Sequence, residues 1–216
     1  GMYARDKSVR EDILRAYQRL DSKYGLRTFD QFFAPGTPGV GRIGNLPPGT
    51  AENSATYVHA TLFGVWSLFM MGEDKAAWEQ LIKALPVTHA HLSATQFVMS
   101  NSYSLNPEFS MSDWYTGAAN VLIKTLVRCV FGVDATLEGV YIRPAAYMPF
   151  ASAKIRIAVR GCSVRVEYVK KGNGKRVFRV GGKFREAPPD PVSGAPALLL
   201  SEADLKGETL VISVED

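Results

Sequence analysis

The sequence predicts an α+β protein in two parts, helical up to about Phe150 and β-rich beyond it. Three observations carry this. Apolar residues recur at helical spacing in several segments between Ile13 and Phe131. From Val140 onward they are replaced by short β-branched runs, several of which alternate strictly. Between the first two helical segments lies a long Gly/Pro-rich stretch, Leu26 to Gly49, with neither period. The expected domains are therefore residues 1–150, helical, and 151–216, a small β-sandwich.

Taken in order, Ser8-Val-Arg-Glu11 reads as a capping box before Ile13, Leu14, Ala16, Tyr17 and Leu20, with a glycine stop at Tyr24-Gly25. The Leu26 to Gly49 stretch reads as a long ordered loop, a kind of segment that often serves function. A second helix is expected from about Glu52 to Met71, apolar on nearly all sides and ended by Gly72. Asp74 caps a third, through Trp78 and Leu81, which Pro86 terminates. Val87 to Met111 reads as irregular. Ser112 or Asp113 then caps a helix from Trp114 to Phe131, closed by Gly132. Expected strands are Val140–Ile142, Ile155–Val159, Ser163–Val169, Arg176–Val180, Ala197–Leu200 and Thr209–Val214, with Lys171-Gly-Asn-Gly174 as a hairpin turn. Val164, Val166 and Tyr168 fall on one face, Arg165 and Glu167 on the other.

Composition narrows the function classes. The chain has 216 residues, 46% hydrophobic and 21% charged, ordinary for a globular protein. A net charge of +4 and a pI near 9.0 are too mild to suggest a nucleic-acid or membrane-surface partner. Cys129 and Cys162 have no metal-like spacing and read as structural thiols, and His89-Ala-His91 lacks further ligands, so no metal site is expected. No signal-peptide core is present near the N-terminus, and Tyr57 to Met71 is too short to span a bilayer, so a soluble cytoplasmic chain is expected.

Candidate functional residues cluster in the run Gly41 to His59, where glycines and prolines shape the backbone while Arg42, Asn45, Glu52, Asn53 and His59 supply polar groups. Glu52, Glu108 and Asp113 are the carboxylates near this run and the later motifs, and Asp113 is explained as a helix cap. Trp114 and Tyr115 are candidates to stack on a sugar face or to fill a core.

The order Tyr24-Gly-Leu26, Gly41-Arg-Ile43, Pro48-Gly-Thr-Ala-Glu-Asn53, His59, Trp114-Tyr-Thr-Gly-Ala-Ala119, Phe131-Gly-Val133, Leu137-Glu-Gly-Val-Tyr-Ile142 and Pro144 resembles the C-terminal part of family 94 of the glycoside hydrolases, the six-hairpin cellobiose, chitobiose and cyclic β-glucan phosphorylases. The resemblance implies the last helices of an (α/α)6 toroid followed by a small β-sandwich. It also implies an inverting phosphorylase of β-glucosides, a glycosyltransferase to phosphate, in which an aspartic acid protonates the leaving oxygen and inorganic phosphate is the nucleophile. No cofactor is implied beyond phosphate as co-substrate.

Carried over by position, the resemblance assigns phosphate contacts to His59, Thr116, Gly117 and Ala118, and substrate contacts to Arg42, Glu52, Asn53 and Trp114, with Glu52 and Asn53 either holding sugar hydroxyls or pinning the loop. The departures are Glu52-Asn-Ser-Ala55 for Glu-Asn-Gly-Gly, Thr116-Gly-Ala-Ala119 for Thr-Gly-Thr-Ala, and Arg143-Pro-Ala-Ala-Tyr-Met-Pro149 for Asp-Pro-Cys-Ile-Pro. The general acid belongs to helices expected before residue 1, so no catalytic residue is assigned in this chain and it is expected to be inactive alone. The alternative is a non-catalytic carbohydrate-binding or assembly module derived from such an enzyme. Either way a partial toroid leaves apolar helix faces open, which predicts self-association or association with the missing half.

Overall fold

The computed structural model describes residues 6–93, 97–172 and 174–216. It is an α+β chain that divides into two compact units, Gly1–Thr125 and Leu126–Asp216, a division that falls earlier than Phe150.

In the first unit α1 spans Lys7–Leu20. Its N-cap is Asp6, whose carboxylate accepts from the Ser8 and Val9 N–H groups at 2.9 and 3.3 Å, so the expected Ser8 cap is replaced by its neighbour two residues earlier. The Ser8 hydroxyl leads those backbone donors in holding Asp6 below the usual carboxylate range. Helix α1 stops at Leu20, before the expected Gly25, because Asp21–Ser22 (β1) and Gly25–Leu26 (β2) form a two-stranded ribbon. The following loop contains one 3₁₀ turn, Gly41–Asn45.

Thr56–Tyr57 (β3) leads into α2, Val58–Met71. That start is six residues later than Glu52, since Ala51 and Ser54 take positive φ (42° and 72°) and break any helix there. Its end is as expected, with Gly72 left-handed at φ 78° and its N–H returned to the Leu68 and Phe69 carbonyls. Val58, Leu62, Val65 and Leu68 are fully buried, each contributing about 1.5–3 kcal/mol of apolar transfer. Helix α3, Asp74–Ala84, packs on α2, with Phe69 and Trp78 edge to face at 6.5 Å.

Glu73, not Asp74, occupies the α3 N-cap, and the 3₁₀ turn Pro86–His89 follows the helix. Part of the stretch expected to be irregular forms β4 (Ser102–Leu105) and β5 (Glu108–Met111), which pair with β3 in the order β3-β4-β5. Helix α4, Thr116–Thr125, starts two residues after Trp114 because Ser112 and Trp114 are at positive φ.

The second unit opens with a π-helical turn, Leu126–Val130, closed by Gly132. Strands β6 (Val133–Ala135), β7 (Val140–Ile142) and β12 (Leu198–Leu200) form a sheet in the order β12-β7-β6. The larger sheet takes β8 (Ser152–Val159), β9 (Cys162–Val169), β10 (Val177–Val180), β11 (Lys183–Arg185) and β13 (Thr209–Glu215) in the order β11-β10-β13-β9-β8. The expected hairpin across Lys171–Gly174 is therefore not made: β13 lies between β9 and β10, parallel to the former and antiparallel to the latter. Asn173 of that turn lies outside the described residues. The alternation of β9 holds, with Cys162, Val164, Val166 and Tyr168 buried and Arg165 and Glu167 paired on the opposite face. Among the described residues no helix is long and apolar enough to cross a membrane.

Candidate functional site

His59 sits in the first turn of α2, directly after the strand residue Tyr57. Pairing of β3 with β4 and a bond from the Val58 N–H to the Asn101 carbonyl (2.9 Å) fix that helix start. On the other side, the Tyr115 N–H binds the Met99 carbonyl at 2.8 Å and so anchors the entry to α4. The two helix starts meet at the histidine. Its Cε1 lies 3.6 Å from the point a Cβ on Gly117 would occupy, and its ring stands edge-on to Tyr115 at 5.8 Å and tilted against Phe63 at 5.0 Å. A Cβ at position 117 would also meet Tyr115 Cε1 at 3.3 Å, so a side chain there makes the Tyr115 ring give way slightly.

Neither helix carries an acidic residue in its first turn, so the positive end of each backbone dipole is left uncompensated. Among the described residues no acceptor binds the N–H groups of Thr116, Gly117 and Ala118, and no partner binds either ring nitrogen of His59. Thr116 is exposed with its hydroxyl available, while Ala118 is buried as a whole residue, its N–H included, so it presents no group to a ligand. The neighbouring Tyr57 hydroxyl raises the Tyr115 phenol above its ordinary pKa, so this phenol stays a neutral donor. Uncapped N–H groups, a half-buried imidazole and hydroxyls at one helix start can together hold a small oxyanion.

Trp114 stands at the lip, 71% exposed, with φ at 68°. A bulky residue in the left-handed region is a genuine outlier, and such strain collects at sites. Asp113 does not cap α4; its carboxylate accepts from the Ser100 hydroxyl at 2.6 Å.

Arg42 and Glu52 form an ion pair with each other rather than with His59 or the start of α4. The Arg42 guanidinium is the main reason the Glu52 carboxyl is held below its usual range. Asn53 is fully buried: its Oδ1 accepts from the Phe33 N–H (2.8 Å), and its Nδ2 donates to the Phe33 and Leu46 carbonyls at 3.0 and 2.9 Å. That carboxamide pins the Gly/Pro loop. Glu108 is held ionised by the Lys23 ammonium and then the Tyr24 hydroxyl, the latter at 2.6 Å. Neither Glu52 nor Glu108 is thus tuned to carry a proton at neutral pH.

His89 is fully buried against Tyr24 and Tyr103 and bonded to the Lys83 carbonyl, and burial lowers its pKa. Among the described residues no group of three or more His, Cys, Asp or Glu side chains is placed to hold a metal ion. Sequence reasoning missed Tyr57 and Phe63; the spacing of four between His59 and Phe63 on one helix was a readable signal for the second.

Comparison with known proteins places these observations in a context. No family model matches the chain. It is 26% identical over 165 residues, 72% of its length, to the 3-O-beta-D-glucopyranosyl-beta-D-glucuronide phosphorylase of Paenibacillus borealis. It is 26% identical over 186 residues, 78% of its length, to the cellobionic acid phosphorylase of Neurospora crassa, and 24% identical over 151 residues, 66% of its length, to the solabiose phosphorylase of Paenibacillus borealis. The matched part amounts to 22%, 23% and 20% of those proteins, so the chain spans about a fifth of the length of the curated relatives it matches. The chain is a distant relative, over part of their length, of phosphorylases of glucosides.

Proposed function

We propose that this chain forms the phosphate-binding wall of an inverting β-glucoside phosphorylase of the family 94 kind, with the proton donor supplied by a preceding part of such an enzyme. The first unit is read as the last helices of an (α/α)6 toroid and the larger sheet of the second as part of a sandwich. The observation that carries the reading is the imidazole of His59 set against Gly117 at the uncapped start of α4.

In this role the N–H groups of Thr116 and Gly117 and the His59 ring hold phosphate oxygens, with the Thr116 hydroxyl as a further donor, while the buried Ala118 packs beneath them. Trp114 offers a stacking face to the sugar, and Arg42 and Glu52 line its approach. Phosphate arrives already anionic, so its attack on the anomeric carbon requires no carboxylate base, only the acid that protonates the departing oxygen. Exposed Phe63, Phe97, Trp114 and Ile123 favour association with that missing part or with a second copy.

Two measurements test the proposal. In a titration with inorganic phosphate the backbone amides of Thr116 and Gly117 shift saturably, and amides that do not respond overturn the reading. Supplied with cellobiose and phosphate, the chain alone releases no glucose 1-phosphate; turnover would place a general acid within these residues.

A further inference from the structure

In the second unit, the outward face of the larger sheet carries a concentration of positive charge. On β8, Lys154 and Arg156 alternate outward and are exposed. On β9, Arg165 stands directly opposite Arg156, and Glu167 directly opposite Lys154. The same face continues through Ser213 of β13 to Arg179 of β10 and takes in Glu215, so Lys154, Arg156, Arg165 and Arg179 are set against the carboxylates of Glu167 and Glu215, the latter paired with Lys171.

Glu167 pairs with Arg165, while Lys154 and Arg156 have no ion-pair partner among the described residues. Directly opposed residues bring their Cβ atoms to about 5 Å, and like charges so placed destabilise a sheet. The Arg156 and Arg165 juxtaposition is therefore unfavourable, is offset in part by the Arg165–Glu167 pair, and would be relieved further by an anion held by both guanidinium groups. A cleft of about 340 Å³ opens there, lined by Lys154, Ile155, Arg156 and Arg165. That volume falls at the lower end for small-ligand sites, and paired guanidinium forks match the oxygens of a phosphate group.

We propose that the cleft over Arg156 and Arg165 binds a phosphate dianion, either free or carried on a sugar. Arg156 and Lys154 supply the uncommitted charge, and Arg165 shares its fork between the ligand and Glu167. The site lies wholly in the second unit and does not depend on His59.

The test is a titration followed by backbone amide shifts of β8 and β9, in a His59→Ala background that weakens the site at the head of α4. Inorganic phosphate, glucose 6-phosphate and sodium chloride at matched ionic strength are the three probes. Saturable shifts at residues 154–157 and 164–167 with either phosphate species, absent with chloride, are expected, and Arg156→Gln weakens that binding about tenfold. Tighter binding of glucose 6-phosphate identifies a sugar phosphate as the ligand, whereas equal or weaker binding identifies free phosphate. Arg156→Gln in the absence of phosphate and at low salt is at least as stable as the unsubstituted chain, because it relieves the like-charge pair. Shifts that chloride reproduces, or binding that Arg156→Gln leaves unchanged, overturn the proposal.

Discussion

Replacing Gly132 with alanine separates backbone strain from close packing. At φ 70°, Gly132 brings its Cα against the chain after β7, and a Cβ built there lies 2.0 Å from the Arg143 carbonyl carbon, 2.2 Å from its oxygen and 2.2 Å from the Pro144 nitrogen. All three are main-chain atoms, so no rotamer change relieves the clash. The Arg143 N–H also donates to the Gly132 carbonyl at 2.8 Å, and the Ala145 N–H to the Val130 carbonyl at 3.1 Å, so a shift that makes room weakens both bonds.

A left-handed residue with a Cβ costs about 1–2 kcal/mol, and overpacking adds about 1–3 kcal/mol, giving about 2–5 kcal/mol for Gly132→Ala. Gly161→Ala is the control: φ is 79° there, but nothing lies within 4 Å of the added carbon. It should cost only the backbone term, about 1–2 kcal/mol. The tryptophans, Trp66, Trp78 and Trp114, all lie in the first unit, so the second is followed through its own amides. Hydrogen exchange of the β6, β7 and β12 amides gives the opening free energy directly. Equal losses for the two variants would refute the close-packing argument.

Three further outcomes are expected. His59→Ala weakens phosphate binding about 10–100-fold, the worth of one charge-assisted hydrogen bond, with the melting temperature little changed; intact affinity or a collapse of stability on calorimetry would mark a packing residue instead. Ser54→Ala is less stable than Ser54→Gly by about 1 kcal/mol in urea titrations, because position 54 is left-handed and both variants lose the same hydroxyl bond to the Phe29 carbonyl; equal stability would remove strain from the account. Asp204, bonded first to Arg185 and also to Ser201, has its pKa depressed to about 2, so its contribution is present above the unfolded value of 3.8 and is lost as pH falls toward 2. Asp204→Asn therefore lowers stability at pH 7 by about 1 kcal/mol, and the deficit shrinks as pH falls from 3.8 through 2; a deficit that stays constant over that range would contradict the assignment.

What could be read in the sequence follows the range of the forces involved. Helix α2 declared itself through near-continuous apolar residues and Gly72, and β9 through strict alternation, because both signals are local. Strands β4 and β5 did not: Ser102, Tyr103 and Ser104 are all buried, so neither face looks apolar in the sequence. The start of α2 was misplaced because Ala51 and Ser54 take conformations usually left to glycine.

The position of β13 was equally hidden, since pairing over such separations leaves no periodic trace. In the site, His59 and Gly117 are 58 residues apart, and only the resemblance set them side by side; spacing alone does not bring two helix starts together. The loop-pinning role of Asn53 was one of two readings, and the buried carboxamide bears it out.

The insertion of β13 also bears on how the second unit is assembled. Without residues 209–215, the larger sheet separates into two ribbons, β8 with β9 and β10 with β11, neither hydrogen-bonded to the other. An isolated two-stranded ribbon is marginal in water. During synthesis both ribbons therefore wait for a strand made about 40 residues after β9, with their inner valines and Phe178 exposed meanwhile. Loss of that short segment would leave the chain with two sticky hairpins rather than a slightly smaller sheet.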